Sequence, residues 1–257
     1  MADIEVTRED KTAIVTLARP GRRNALTLAM WQEVARLFGE LGRDEALRAI
    51  ILTGAGGHFS VGADISEFGT VRSTVAQSVA YEEAVDAASQ AIANQPKPVI
   101  AAVSGFCLGG GCHLSMACDF RFAGRTAEFG IPSARLSIVY GLDSTQRLFA
   151  LVGLSAAKRI LFSGERFGAA EAVRIGFADL EADDPLAAAK EFAAKLADNA
   201  PLSIAGAKFI LNGLAMGNGA LDPKEVAAIV DRASASEDYA EGRRAFAEKR
   251  KPAFKGR

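Results

Sequence analysis

Two short apolar runs, each followed at once by a glycine-rich loop, constrain the fold of this chain most strongly. Residues 49–52 are Ala-Ile-Ile-Leu and end at Thr53-Gly54, and residues 99–103 are Val-Ile-Ala-Ala-Val and end at Ser104-Gly105. A continuous apolar run of this length is typical of a strand that is buried on both faces. A helical stretch at residues 73–94 separates the two runs, and this succession predicts a crossover within an α/β core.

The remaining elements follow from simple patterns. Residues 4–8 and 13–17 predict an opening hairpin, and the apolar spacing within residues 27–41 predicts a helix. From Ser155 onward the chain is predicted to be almost entirely helical. Asp222-Pro223 is a favourable helix start, because aspartate caps a helix and proline suits its first turn. The helix that begins there carries one apolar stripe, formed by Val226, Ile229, Val230 and Ala233.

Charge and hydropathy exclude several classes of protein. The formal net charge of the 257 residues is -1, so no basic excess indicates nucleic-acid binding. No apolar run is long enough to span a bilayer, and the N-terminus has neither the basic nor the apolar region of a signal peptide. We therefore expect a cytoplasmic protein that binds neither nucleic acid nor membrane.

The cysteines and histidines do not form a metal-binding pattern. Cys107, Cys112 and Cys118 have spacings that fit no common zinc or redox motif, and we expect them to be small buried residues. His58 and His113 are far apart and no nearby carboxylate pattern accompanies them. The sequence therefore predicts no metal site.

The second glycine-rich loop indicates a binding site for developing negative charge. The first loop, residues 54–64, fails the nucleotide-binding fingerprint because Phe59 stands where its third glycine belongs. In the second loop, Gly109-Gly110-Gly111 precedes a predicted helix at residues 113–117. The first amides of a helix lack internal partners, and glycine lets a ligand approach the backbone closely. The loop can hold an oxyanion, or its glycines can serve tight packing alone.

At this point the sequence resembles the crotonase superfamily, the enoyl-CoA hydratase/isomerase family. The strings that carry the resemblance occur in family order over nearly the whole chain, and they are Phe59-Ser-Val-Gly-Ala-Asp-Ile65, Pro98-Val-Ile-Ala-Ala-Val-Ser-Gly105, Gly109-Gly-Gly-Cys112, Thr145-Gln-Arg-Leu148, Ala169-Ala-Glu-Ala-Val-Arg-Ile-Gly176 and Glu241-Gly-Arg-Arg-Ala-Phe-Ala-Glu-Lys-Arg-Lys251. The resemblance implies an α/β spiral of ββα repeats, residues 1–195. A helical region, residues 196–257, would serve trimerisation and coenzyme A contact, so the family implies a homotrimer or a dimer of trimers.

The resemblance also implies the ligand and its contacts. Family members act on acyl-CoA thioesters, with coenzyme A as part of the substrate and no separate cofactor. The oxyanion hole would consist of the amides of Ala63 and Gly110. Coenzyme A would contact a strip that continues from Ala63 through Asp64, Ile65 and Ser66, the loop near Arg22, and Phe246 and Lys249 of the last helix, often across a subunit boundary.

The sequence departs from the family where its hydratases carry two glutamates. His113 and Ser133 occupy those positions here. Hydration needs groups that handle the protons of water and of Cα, and each such transfer contributes about 10²–10⁴-fold. His113 is a candidate acid or base because its ordinary pKa is about 6.5, although it can also simply pack. Asp143 is a second candidate catalytic residue, and its alternative role is the N-cap of the following helix.

Three functions stay open on the sequence. The leading one is an enoyl-CoA hydratase/isomerase family enzyme that stabilises a thioester enolate and uses non-standard acid/base residues. The second is a non-catalytic acyl-CoA binding protein on the same scaffold. The third is a hydrolase of carbon–carbon bonds, an activity that some members of the superfamily perform without coenzyme A. Loss of both glutamates favours the second and third over ordinary hydration.

Overall fold

The computed structural model describes residues 2–217 and 221–257 of the chain. Its strands are β1 Ile4–Glu9, β2 Thr12–Leu17, β3 Ala49–Gly54, β4 Val99–Val103, β5 Phe106–Leu108, β6 Phe120–Gly124, β7 Glu128–Gly130, β8 Arg166–Gly168 and β9 Leu180–Ala182. Its α-helices are α1 Leu28–Arg43, α2 Phe68–Val71, α3 Val75–Asn94, α4 Gly110–Ala117, α5 Leu142–Ser163, α6 Ala169–Arg174, α7 Pro185–Ala197, α8 Pro201–Met216, α9 Pro223–Ser234 and α10 Glu237–Ala247.

A six-stranded sheet forms the centre of the molecule, in the order β1-β2-β3-β4-β6-β9. The β1–β2 pair is antiparallel, as the predicted hairpin requires, and the other pairs are parallel. In the parallel part, Val15 lies beside Leu52, which lies beside Ala101. Both predicted buried strands, β3 and β4, therefore lie next to each other in the middle of the sheet.

Helices cover both faces of this sheet. Ile50, Leu52 and Val99 point into the core that contains the apolar faces of α1 and α3. Ile51 and Ile100, on the alternate positions of the same strands, point into a second cluster formed with α7. Because strand side chains alternate between faces, a strand that is apolar at every position has to be covered on both sides. The predicted α/β class is confirmed.

A second, three-stranded sheet of β5, β7 and β8 brings the two glycine-rich loops together. Ser60 of the first loop forms an isolated bridge with Cys107 of β5. The Ser60 amide donates to the carbonyl of Phe106, and the Leu108 amide donates to the carbonyl of Ser60. Buried Asn24 stabilises the first loop, since its side-chain amide donates to the carbonyls at positions 55 and 58. The loops that follow β3 and β4 are therefore in direct contact with each other.

Several element predictions are confirmed, and others need correction. The capped start at Asp222 is confirmed, since its carboxylate accepts a hydrogen bond from the Lys224 amide. The prediction that the chain is almost entirely helical from Ser155 onward is confirmed except at β8 and β9, which it did not include. These strands are three residues long, which is too short for a periodic signal. Helix α4 begins at Gly110, three residues before the predicted start at His113.

The buried cysteines and the C-terminal helices complete the description. Cys107, Cys112 and Cys118 are buried and free, as predicted. In α9, Ile229 lies against Gly206 of α8, whereas Val230 is half exposed. Helix α7 runs to Ala197, so it crosses the predicted boundary between residues 195 and 196. The use of residues 196–257 for trimerisation stays a prediction.

Candidate active site

The backbone amide of Ala63 has no hydrogen-bond partner in the described part of the chain. Ala63 pairs with Leu26 in an isolated parallel bridge. In that bridge the Leu26 amide donates to the Gly62 carbonyl, and the Asp64 amide donates to the Leu26 carbonyl, each at 2.8 Å. The amide between them points to the opposite side, because successive residues of an extended segment face opposite ways. The Ala63 N–H is therefore left for a ligand.

The amide of Gly110 likewise has no hydrogen-bond partner in the described part of the chain. Gly110 is the first residue of α4, and the preceding Gly109 has a φ of 50° that favours glycine. A β-carbon built on Gly110 would stand 3.3 Å from the Ala63 nitrogen, and one built on Gly62 would stand 2.7 Å from the Gly110 nitrogen. The two amides therefore lie close together, at the positive end of a helix. Two such donors can hold one oxyanion.

Trp31 limits the space around this pair. A β-carbon on Gly110 would stand only 2.8 Å from Cζ2 of the Trp31 indole. The indole itself is buried, and its Nε1 donates a hydrogen bond to the Tyr81 hydroxyl at 3.0 Å. The close approach of this aromatic ring therefore requires glycine at position 110.

The predicted coenzyme A strip is stabilised by a carboxylate that faces the protein. Asp64 accepts hydrogen bonds from the amide and the hydroxyl of Ser66 and from the Arg19 guanidinium. The Ser66 hydroxyl and then the Arg19 guanidinium keep the pKa of Asp64 below its usual range. Ile65, in contrast, is 71% exposed. Asp64 thus fixes the backbone of the strip, and Ile65 is the residue free to contact a ligand.

His113 lies one turn along α4 from Gly110 and is buried. Its Nδ1 is 2.6 Å from Oγ of Ser144 in the first turn of α5. Its Nε2 is buried without a hydrogen-bond partner in the described structure. The imidazole meets the rings of Trp31 and Tyr140 edge to face, at centroid distances of 6.3 and 6.2 Å. His113 was predicted from the sequence. Ser144 was not, because no local sequence pattern connects these two residues.

Burial keeps the His113 side chain neutral. Loss of hydration lowers its pKa to about 4, and the nearby Arg147 guanidinium acts in the same direction. The Val85 carbonyl and the Asp143 carboxylate oppose this shift without cancelling it. At neutral pH the imidazole is therefore uncharged, so it cannot act as an imidazolium acid.

Ser133, at the second glutamate position, is also buried and begins a single 3₁₀ turn that ends at Leu136. The neighbouring Tyr140 has a buried hydroxyl with no partner in the described structure. Burial raises the pKa of Tyr140 well above its usual range, so this hydroxyl stays protonated. The groups that face His113 are thus the Ser144 hydroxyl at Nδ1 and the Tyr140 ring, while the charges of Arg147 and Asp143 act on it with opposite signs.

The Asp143 side chain lines a different cavity from the one beside the Ala63–Gly110 pair. Its carboxylate accepts a hydrogen bond from the Gln90 side chain at 3.3 Å. Together with Arg147 it lines a cavity of about 690 Å³ whose walls include neither Ala63 nor Gly110. The alternative role of Asp143 as an N-cap is wrong, because Gly141 occupies the cap position and Asp143 is in the first turn, whereas its catalytic role stays a prediction.

Arg22 lies in a cationic cavity beside the free amides. The cavity has a volume of about 490 Å³ and includes Val61 and Leu108, each two residues before one of the donors. The guanidinium groups of Arg23 and Arg166 lie 5.4 and 5.0 Å from the ring centre of Phe106, which also lines the cavity. Sequence analysis missed Arg166, because nothing in the strand β8 connects it with the loops. The arrangement suits an anionic group such as a phosphate.

Phe246 and Lys249 do not join this site within one chain. Phe246 is 88% exposed and lines a cavity of about 760 Å³ between α8, α9 and α10. That cavity includes neither Arg22 nor the strip that follows Ala63. Their predicted contact with a ligand across a subunit boundary stays a prediction.

Two further properties concern the described residues as a whole. Every helix within residues 2–217 and 221–257 falls short of the length and apolarity needed to cross a membrane. In the same part of the chain, no three histidine, cysteine, aspartate or glutamate side chains are grouped to hold a metal ion.

The chain is similar to known proteins over its full length. Residues 7–257 match the family model Enoyl-CoA hydratase/isomerase. Identity is 39% over 219 residues to the short-chain-enoyl-CoA hydratase of Clostridium acetobutylicum, covering 80% of this chain and 79% of that protein. Identity is 33% over 268 residues to the 2,3-dehydroadipyl-CoA hydratase of Escherichia coli, covering 100% of both.

Solved structures agree with these relatives. An enoyl-CoA hydratase/isomerase family protein from Hyphomonas neptunium is 37% identical and superposes with a TM-score of 0.94, covering 100% of this chain and 98% of that one. The enoyl-CoA hydratase of Bacillus anthracis is 32% identical, with a TM-score of 0.89 and full coverage of both chains. The predicted fold class is confirmed by these neighbours.

Proposed function

The chain belongs to the enoyl-CoA hydratase/isomerase family, and from this premise we propose that the amides of Ala63 and Gly110 hold the carbonyl oxygen of an acyl-CoA thioester. The observation that carries the proposal is the pair itself: two adjacent backbone donors without a partner in the described structure. Both residues are half-buried, and an amide in such a position needs water or a ligand as its partner. The thioester oxygen is the group that this family presents to such a pair.

The chemistry of the pair is stabilisation of an enolate. When a proton leaves Cα, or when a nucleophile adds to a conjugated acyl group, negative charge develops on the thioester oxygen. Fixed donors aimed at that oxygen stabilise the charge by roughly 3–4 kcal/mol each in measured cases. The position of Gly110 at the start of α4 adds the favourable end of the helix dipole.

The remainder of coenzyme A follows the exposed surface beside the pair. We propose that the strip from Ala63 to Ser66 contacts the pantetheine arm and that the cationic cavity at Arg22 receives phosphate. Ile65 is exposed next to the free amide, and the cavity borders both donor loops, which supports this path. Phe246 and Lys249 would contact the nucleotide of a neighbouring subunit in a homotrimer or a dimer of trimers.

The acyl group would lie against His113, which is one helical turn from Gly110. The neutral imidazole and the hydroxyl of Ser133 replace two carboxylates, so ordinary hydration of an enoyl-CoA is expected to be slow. We therefore propose enolate chemistry with non-standard proton-handling groups, in which His113 is the residue that contacts the acyl chain. Asp143 is the weaker candidate, since its carboxylate pairs with Gln90 on a separate cavity.

A non-catalytic acyl-CoA binding protein is the second candidate, and the absence of a carboxylate at positions 113 and 133 favours it. One pair of measurements separates the two functions. Calorimetry with crotonyl-CoA and acetyl-CoA measures binding, and NMR in deuterium oxide measures exchange of the Cα protons of acetyl-CoA. Binding with exchange supports the enzyme, binding without any reaction supports the binding protein, and no heat at millimolar ligand contradicts both.

A further inference from the structure

We propose that Ser144 is a positioning residue that holds His113 as the tautomer with its proton on Nε2, so that this side chain donates a hydrogen bond to the acyl group and does not take a proton from it. The tautomer is a property of the protein alone. Its role toward the acyl group rests on the proposed function.

The geometry of the pair carries the first step. Ser144 and His113 are each about 3% exposed, and the Ser144 oxygen is 2.6 Å from Nδ1 of the imidazole. In the described structure, the Ser144 hydroxyl makes its hydrogen bond with this ring nitrogen. Water has little access to the pair, so the two groups have to satisfy each other.

Counting donors gives the direction of the bond. If Nδ1 carried the proton, it would donate to Ser144, and the serine O–H would remain buried without an acceptor. If Ser144 donates to Nδ1, both of those groups are satisfied, and the proton is on Nε2. The first arrangement leaves two buried groups without a partner, the serine O–H and the Nε2 lone pair, whereas the second leaves one, the Nε2–H group, so the second arrangement is favoured.

The surroundings of the other ring nitrogen agree with this direction. The Val85 carbonyl of α3 lies near the imidazole and favours a proton on it, and because Nδ1 is engaged by Ser144, we infer that this carbonyl faces Nε2. No full hydrogen bond to Nε2 is formed, so the N–H remains available. An acceptor beside a ring nitrogen stabilises a proton there and opposes a lone pair. The Nε2–H group is thus a donor that a ligand oxygen can complete.

Neighbouring groups extend the consequence to the ligand. The Tyr140 hydroxyl is a second buried group without a partner in the described structure, and its ring meets the imidazole at 6.2 Å. Both groups carry protons and neither is a base. Their common complement is an oxygen atom on the acyl chain, so the site suits an acyl-CoA with an oxygen acceptor close to the thioester, such as a 3-oxoacyl group.

The chain contains its own reference for the test. It has two histidines, and Nδ1 of His58 accepts a hydrogen bond from the Phe106 amide at 3.1 Å. Because an amide can only donate, His58 has its proton on Nε2. In the uniformly ¹⁵N-labelled, ligand-free protein at pH 7, a long-range ¹H–¹⁵N spectrum reports which nitrogen of each ring is protonated. We expect the same pattern for both rings, whereas a protonated Nδ1 of His113 would overturn the proposal.

Variants then separate positioning from packing. Ser144→Ala removes the donor, so the Nδ1 resonance of His113 should shift toward the average of two tautomers while that of His58 stays unchanged. Ser144→Thr keeps the hydroxyl and should restore the wild-type pattern. An unchanged His113 spectrum in Ser144→Ala would show that the serine does not select the tautomer. The wild-type spectrum decides the assignment even when a variant fails to fold.

Calorimetry tests the donor role separately. Wild-type protein should bind acetoacetyl-CoA at least about 10-fold more tightly than butyryl-CoA, the size of effect expected for one good hydrogen bond. His113→Leu should remove that preference, so that the two ligands bind with similar affinity. A preference that survives in His113→Leu contradicts the donor role. Absence of binding to either ligand in the wild type contradicts the proposed function, while the NMR result for the tautomer stands.

Discussion

The indole of Trp31 lies across the α-carbon of Gly110, at a distance that leaves no room for a methyl group. Glycine here serves a contact inside the protein and, in the proposed function, a contact with the ligand. An aromatic ring packed against the backbone of a helix start cannot move without disturbing its own hydrogen bond to Tyr81. The free amide of Gly110 is consequently held by the packing of α1 against α4.

Replacing Gly110 with alanine tests this relationship. The new β-carbon would stand 2.8 Å from the indole, so helix α4 or Trp31 has to shift. We expect a loss of roughly 1–3 kcal/mol in the free energy of unfolding and at least about 10-fold weaker binding of crotonyl-CoA. Urea unfolding and calorimetry measure the two effects.

A matched control is available in α1. Gly39 has no heavy atom within 4 Å of its β-carbon position, so Gly39→Ala should be neutral or slightly stabilising and should bind ligand normally. If Gly110→Ala binds crotonyl-CoA as tightly as this control, the amide of Gly110 does not contact the thioester.

Hydration of crotonyl-CoA should be slow compared with an efficient hydratase. Each missing proton transfer is worth about 10²–10⁴-fold, although the effects of two groups rarely add. Loss of the conjugated-thioester absorbance at neutral pH measures the rate. A rate typical of an efficient hydratase would mean that another residue has taken over, and His113→Ala and Asp143→Asn, made separately, should then identify it. If neither lowers that rate, the base lies outside these residues.

The free energy of unfolding should decrease as the pH is lowered, because of His113. Its pKa is about 4 in the folded protein and about 6.5 in the unfolded chain, so between these values the unfolded chain binds a proton that the folded protein does not. The free energy of unfolding has its full value above pH 6.5. It decreases by on the order of 3 kcal/mol as the pH falls toward 4. His113→Gln should flatten this part of the profile in urea unfolding at pH 7.5, 6 and 5.

Several groups set the size of that effect. Arg147 lowers the pKa of His113, while Asp143 and the Val85 carbonyl raise it, and Tyr140 faces the ring. The matched control is His58→Gln, which changes the other histidine. If His58→Gln flattens the dependence of the free energy of unfolding on pH and His113→Gln leaves it unchanged, His113 is not the group responsible.

Self-association is the remaining expectation. Val230 of α9 and Phe246 of α10 are exposed apolar side chains at the C-terminal end of the chain, which is the region that the family uses for trimers. Light scattering during size-exclusion chromatography should give three or six copies. A monomer at micromolar concentration would contradict the assembly, and Phe246 and Lys249 would then lose their predicted role. Replacing Val230 with aspartate should weaken the oligomer more than the same change at Ala227, a neighbouring exposed position.

The sequence allowed much of the core to be predicted, because its signals are local. The apolar runs of β3 and β4 are buried at every central position, as their composition indicates. The cap of α9 at Asp222 also depends on neighbouring residues only. Helix α4 was predicted too short, because three glycines oppose helix formation in isolation. Tertiary packing against Trp31 and the bridge to the first loop overcome that preference.

The candidate site was predicted only in part, because its contacts connect distant residues. The Ala63–Gly110 pair came from the family resemblance, and periodicity gave no information about it. The bond between His113 and Ser144 spans 31 positions and has no sequence signature. Arg166 reaches the cavity beside Arg22 from a strand too short to predict. Asp143 was selected because the resemblance places its loop at the acyl pocket of the family, whereas the structure places it in the first turn of α5, paired with Gln90.

The two donor amides belong to separate loops, which meet through contacts that include the Ser60–Cys107 bridge and the approach of Gly62 to Gly110. Neither loop alone offers a paired site, so binding is available to the folded state and absent from any state in which β3 and β4 have come apart. Saturation with a ligand at 100 times its dissociation constant should then add about 2.7 kcal/mol to the free energy of global unfolding. Hydrogen exchange of the β3 and β4 amides should slow accordingly. Binding of a ligand at the Ala63–Gly110 pair would then be detectable at two strands that lie in the core.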